Sequence, residues 1–355
     1  MAQNVGTPRF YVSVLQWLDA MGLLQSDATS FMTEKTAKAL VHINPTSQAI
    51  LHGVGGDTGW GEKHIKYTLL YNSYDRIMPN DKNFTMVLGH NWATSHIDSD
   101  TSFIHTFSGS VADETLDIPY GDHYIGGSAT AGYVNYSHGT CTGNGFYIAH
   151  GNDAHNVTGA QVQMRFQYPE DGYKYKIGSI LYGTYYDMSH SPDLSLKMSV
   201  EMDGVKNIQT KGGSTLSNAS YTKPANWGDL GAWQIGGAPA WNFRHGRRSW
   251  DLSFSYLSDT DIMPKVAAHS NILSGENAVN DAIYSQRNTL RTDSDFFSVV
   301  WNRTMGGHLP FVFQPNGDNN SPDQFCIARF DQSSLQYEQV ANNVYNVKLK
   351  IRECW

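Results

Sequence analysis

Leu194-Ser-Leu196-Lys-Met198-Ser-Val200-Glu-Met202 alternates apolar and polar residues without a fault for nine positions. Successive side chains on a strand point to opposite faces, so this pattern predicts a β-strand with one buried and one wet face. The run ends in Asp203-Gly204 followed by Val205, a strong two-residue hairpin signal. Trp250-Asp-Leu252-Ser-Phe254-Ser-Tyr256 repeats the pattern and ends in the polar run Ser258-Asp-Thr-Asp261. Two clean alternators of this kind set the expectation of a mainly β chain.

Working outward, Val162-Gln-Met164-Arg-Phe166 alternates, and so does Ile177 to Tyr186. Gly178 and Gly183 interrupt the latter and mark bulges or close backbone approach. Phe297 to Trp301 and Phe311 to Phe313 are shorter, more uniformly apolar runs, and both read as strands. Cys326 to Phe330, Leu335 to Val340 and Tyr345 to Ile351 complete the set. Helix signals are few. Val279, Ile283 and Leu290, with Ala282 beside them, predict a helix over 277–290. Phe10 to Leu24 reads as a strand passing into a short helix. The stretches 100–160 and 203–247 are loop-rich. The expected layout is a β-sandwich or β-barrel domain built from residues 1–99 and 246–355. A jelly-roll-like sandwich over 100–245 is inserted into it, and the helices are few and short.

Composition agrees with this class and removes others. Of 355 residues only 16% are charged, against roughly a quarter in an ordinary soluble domain. Aromatics make up 12%, and glycines number 33, which favours strands and turns over long helices. The formal charge of -8 argues against nucleic-acid binding, which needs clustered Lys and Arg. No apolar stretch has membrane-spanning length, and the first residues lack a signal-peptide layout. Three cysteines, Cys141, Cys326 and Cys354, form neither a disulfide framework nor a zinc motif. Folding in a reducing cytoplasm is the expectation.

No constellation carries chemistry. His150 and His155 flank Asp153 without a third spaced ligand. His96 with Asp98 and Asp100, and Asp122 with His123, offer a base and a carboxylate but come with no identifiable nucleophile. Asp-rich turns at Asp98-Ser-Asp100, Ser258 to Asp261, Asp293-Ser-Asp295 and Asn316 to Asn320 have oxygen ligands of the calcium type. None fits a calcium-loop pattern, and turn chemistry explains them. The expectation is therefore no catalytic residue, no metal and no cofactor. Two clusters stand out instead. Trp227, Trp233 and Trp241 lie in one glycine-rich stretch, as ligand or interface aromatics or as packing residues. Arg244, Arg247 and Arg248 form a basic knot, read either as a subunit contact or as an internal ion-pair cluster.

The two ends of the chain resemble tailed-bacteriophage proteins. Gly6-Thr-Pro-Arg-Phe10-Tyr-Val resembles the start of virion proteins. Closer are Arg247-Arg-Ser-Trp250 to Asp261, Leu309-Pro-Phe-Val-Phe-Gln-Pro-Asn316, Gln324-Phe-Cys-Ile-Ala-Arg-Phe330 and Tyr345-Asn-Val-Lys-Leu-Lys-Ile-Arg-Glu353. These are similar to phage tail structural proteins, most of all distal tail and tail-tip (baseplate hub) proteins. The resemblance covers about a third of the chain. It implies a non-enzymatic ring-forming protein, usually hexameric, that contacts other tail or baseplate proteins in the virion tail. It also implies a second, carbohydrate-binding-module-like domain and carries over no catalytic residue. Low charge and many aromatics fit surfaces covered by neighbouring subunits. The rival from another class is a carbohydrate- or receptor-binding β-sandwich, with host glycan as ligand and Trp227 or Trp233 exposed in a groove. A further rival, a glycan hydrolase, needs two carboxylates about 5–9.5 Å apart in a cleft.

Overall fold

The computed structural model describes residues 5–28, 31–52, 64–69, 82–91, 105–109, 115–117, 123–124, 127–131, 137–141, 145–150, 161–165, 174–194, 196–202, 205–219, 227, 233, 246–264, 294–321 and 324–354. The chain is mainly β. In order, its first elements are β1 (Arg9–Ser13), α1 (Val14–Ala20), β2 (Leu24–Ala28), β3 (Phe31–Thr33), α2 (Ala37–Leu40), β4 (Ala49–His52), β5 (His64–Leu69) and β6 (Asn83–His90). The middle holds β7 (His105–Gly109), β8 (Thr115–Asp117), β9 (His123–Tyr124), β10 (Gly127–Ala131), β11 (Ser137–Cys141), β12 (Gly145–His150), β13 (Gln161–Arg165), β14 (Lys174–Ile177) and β15 (Ser179–Asp187). Then come β16 (Lys197–Glu201), β17 (Val205–Gln209), β18 (Thr215–Ala219), β19 (Arg247–Ser258) and α3 (Asp259–Ile262). A π-helical turn (Phe297–Asn302), β20 (Phe311–Gln314), β21 (Cys326–Phe330), β22 (Tyr337–Ala341) and β23 (Val344–Glu353) close the list.

One eleven-stranded sheet organises the molecule, in the order β16-β19-β23-β21-β20-β1-β15-β6-β12-β9 with β22 paired to β23. The pairings in it are antiparallel. Strands from both chain ends meet here, since β1 lies between β15 and β20. Strands from the expected insertion lie in the same sheet: β9, β12, β15 and β16 all fall within 100–245. A cut at residues 100 and 245 therefore runs through this sheet rather than around it.

Alternation puts cores on both faces. Phe10 and Val12 point to one side, with Phe311, Phe313, Trp250, Leu252 and Leu349, under a lid of Phe296, Val299 and Val300. Tyr11 points to the other, with Phe84, Met86, Phe146, Val312 and Phe325. Farther along the first face, Val87, Tyr147, Ile180 and Tyr182 pack against α1, α2 and strands of two smaller sheets, through Leu18, Leu40, Leu51, Ile65 and Tyr67. This is the sandwich layering of the fold.

Local sequence explains the joints. Ser13 ends β1 and caps α1, its side chain accepting from the Gln16 amide at 3.4 Å. The helix stops at Gly22, whose φ of +71° suits a residue without Cβ. Gly183 is a close-approach glycine, as its interruption of the strand pattern predicts: a Cβ there would strike the Val12 carbonyl. Gly178 sits against Pro45, where a Cβ would lie 2.6 Å from the proline backbone.

Two expectations are corrected. Phe297 to Trp301 is not a strand but a turn of π-helix, since a short apolar run does not distinguish a strand from a buried helical segment. Asp295 holds its start, accepting from the Ser298 amide at 2.9 Å and the Ser298 hydroxyl at 2.7 Å. The hairpin expected after Met202 also differs. β16 takes its ladder from β19, and β17 pairs with β18 through a turn around Gly213, at φ +84°. The helix expected over 277–290 lies outside the described residues.

Candidate functional site

Among the described residues β16 is the end strand of the large sheet. Its register with β19 sets Met198 opposite Trp250 and Val200 opposite Arg248, on the core face. Lys197, Ser199 and Glu201 stand opposite Asp251, Ser249 and Arg247, on the polar face. The Ser199 and Ser249 hydroxyls meet at 2.6 Å, and Arg352 donates to Glu201 at 2.6 and 3.0 Å.

The expected buried face of this strand is not buried. All five residues of β16 are exposed, with Met198 at 38% and Val200 at 57%. Among the described residues, the lid over Trp250 does not cover β16, so the apolar row runs past it. Next in the chain, β17 is exposed along its whole length, with Ile208 at 63% and Leu216 of β18 at 61%. Met202, Val205 and Leu194 are exposed as well. An uncovered edge strand carrying an apolar row is a template for another chain.

The aromatic cluster is placed differently. Trp227 and Trp233 are buried and meet edge to face at 4.9 Å. Trp233 also meets Phe146 at 5.1 Å and stacks on Phe325 at 5.8 Å. Both therefore cap the core on the Tyr11 side, and neither offers a free ring face. Trp241 lies outside the described residues.

Of the basic knot, Arg248 forms an internal pair. Arg248 is buried, and its Nε donates to Glu353 Oε2 at 3.0 Å. Its terminal nitrogen donates to the Phe325 carbonyl at 2.9 Å. The guanidinium lies 5.5 Å from the Trp250 ring. Arg247 is half-buried at the start of β19, and Arg244 lies outside the described residues. Sequence reasoning could not single out Glu353, because it is 105 positions away.

The structure also shows a polar network that the sequence did not announce. The Tyr11 hydroxyl donates to Gln314 Oε1 at 3.0 Å and lies 3.1 Å from His150 Nε2. His150 stacks on Tyr185 at 4.5 Å, and Arg9 lies over Tyr185 at 4.6 Å while bonded to Asp187 at 2.5 Å. Burial, helped by the Arg9 charge, pushes His150 down to about 3, so the ring is neutral at ordinary pH. The network ties β1, β12, β15 and β20 together.

The other sequence candidates are placed only in part. Asp153, His155, His96, Asp98, Asp100 and Asp122 lie outside the described residues, and His123 falls in β9. Asn316 accepts from the Asp318 amide at 3.2 Å, and Ser258 caps α3 in a capping box with Asp261, both ordinary turn and cap chemistry. Among the described residues no group of three or more His, Cys, Asp or Glu is placed to hold a metal. Cys326 and Cys354 are free thiols. Burial raises both, Cys354 to about 11. No helix among the described residues is long and apolar enough to cross a membrane.

Comparison with known proteins adds little to this geometry. No family model matches the chain, and no curated protein does. Among solved structures, it is similar to the family 32 CBM from C. perfringens NanJ, determined in complex with galactose. The match has 11% sequence identity and a TM-score of 0.27, and covers 49% of this chain and 98% of the module.

Proposed function

We propose that this chain is a non-enzymatic structural component of a phage tail, whose copies assemble into a ring at the distal tail or baseplate of the virion. The observation that carries an assembly role is the uncovered arm: the apolar edge of β16 and the exposed β17–β18 hairpin that follows it in the chain. Such surface is costly on a free protein and becomes favourable once a neighbour covers it. The tail assignment rests on the resemblance of the Arg247 to Asp261 and Tyr345 to Glu353 runs. In the structure these runs form β19, which lies next to the β16 edge, the start of α3, and β23 beside β19.

The carbohydrate-binding reading draws no support from Trp227 and Trp233, which are packed inside. Negative-stain microscopy of the purified chain, with mass measurement of the particles, tests the proposal. Closed rings are the expected result. A strict monomer, or a glycan-binding monomer on an array, overturns it.

A further inference from the structure

From the same open edge we infer that two copies of this chain pair β16 with β16 antiparallel, about a two-fold axis through Ser199. This rests on the assembly reading above. An isologous contact closes with two copies, so it joins subunits in pairs. The contact that propagates a ring falls to other surface, such as the exposed β17–β18 hairpin.

The argument begins with register. An antiparallel pair centred on Ser199 sets Lys197 of one copy opposite Glu201 of the other, twice per interface. It sets Met198 opposite Val200 in the same way, on the core face. Within one copy, Lys197 already stands opposite Asp251, and Glu201 opposite Arg247. The polar face would then carry the row Asp251, Lys197, Glu201, Arg247 across the junction, with signs alternating at every step. Directly opposed side chains on a sheet lie about 4.5–5.5 Å apart, close enough for each step to be attractive.

Other registers lose this. Centring on Lys197 or Glu201 faces like charges across the axis. Centring on Met198 or Val200 sets Glu201 against a serine.

The core face gives the same answer. Met198 and Val200 extend the apolar face that Trp250 and Leu252 begin. Pairing joins two such rows into one patch that runs between two cores. The backbone groups of β16 that β19 does not take, unpaired among the described residues, gain a partner at the same time. The interface is isologous, so the same residues serve on both sides. The Glu201–Arg352 pair is half-exposed and leaves Glu201 accessible from the edge.

The test uses the full chain. Ser199→Cys, oxidised in air, is expected to give a covalent dimer on a non-reducing gel that wild type does not give. Lys197→Glu faces two like-charge pairs across the axis. In sedimentation velocity it is expected to weaken the dimer about tenfold. The double swap Lys197→Glu with Glu201→Lys restores opposite signs across the axis while facing like charges within each copy at Asp251 and Arg247, and it is expected to dimerise more tightly than Lys197→Glu alone. Circular dichroism melting confirms that each variant is folded. If wild type associates but Ser199→Cys does not cross-link and Lys197→Glu changes nothing, the contact is wrong while the assembly reading stands. If wild type stays monomeric at every concentration, both fall.

Discussion

β16 and β19 lie side by side and read almost identically. Each alternates apolar and polar residues, and Met198 stands directly opposite Trp250. Yet Trp250 is 2% exposed, under a lid of aromatic and aliphatic side chains, while its neighbour is open. Alternation specifies that a strand has an apolar face. What covers that face is decided by other parts of the chain, or by another chain. The sheet thus has a closed region that holds the monomer together and an open margin that contributes little to its stability.

Substitutions can break or sharpen that contrast. The largest effect is expected in the closed region, where Arg248→Met strands Glu353 in the interior. Loss of one partner of a buried ion pair costs about 3–5 kcal/mol, and urea unfolding of the variant reads it. Trp250→Ala follows closely at about 3–4 kcal/mol through lost burial and a cavity. Met198→Ala, on the facing residue, is expected to cost less than about 1 kcal/mol in dilute monomer. Equal costs at Trp250 and Met198 would erase the distinction between the two regions.

Acid is expected to act on the closed region. Burial pushes His150 down to about 3 and His90 to about 4, against about 6.5 in the unfolded chain. Below pH 6.5 the unfolded chain takes up protons that the folded one refuses. Stability is thus intact above that pH and falls as pH drops towards 4 and then 3. The slope is up to about 1.4 kcal/mol per pH unit for each histidine. Unfolding curves at several pH values check this, and His150→Gln should halve the slope. The smallest effect belongs to the margin. Arg352→Ala removes an exposed pair with Glu201 and is expected to shift monomer stability by no more than about 0.5 kcal/mol.

Much of the fold is legible in the sequence, because alternation is local. The passage from β1 to α1, the long strand at Trp250 and the closing strand at Tyr345 can all be read from neighbouring residues. What is not legible depends on distant partners. Arg248 stays open between a subunit contact and an internal ion-pair cluster because its partner Glu353 is far along the chain. Trp233 stays open between a ligand or interface aromatic and a packing residue, because Phe146 and Phe325, which enclose it, belong to other segments. Phe297 to Trp301 reads as a strand because its apolar run fits a buried helical turn equally well. The open edge is the clearest case. Its residues announce a strand, and only the packed structure shows that nothing among the described residues covers it.

β1 enters the sheet between β15 and β20, so its two hydrogen-bonding partners lie roughly 170 and 300 residues downstream. On a ribosome, β1 meets its first partner only after about 170 further residues and its second only after about 300. Contacts of such long range make folding slow and leave incomplete chains exposed to aggregation. The same order gives protection. β16 is synthesised before β19, the strand that fixes it in register, so a nascent chain has no rigid edge to offer. That edge is fixed only once β19 and the β23 strand beside it have been made, which keeps half-made copies out of the assembly.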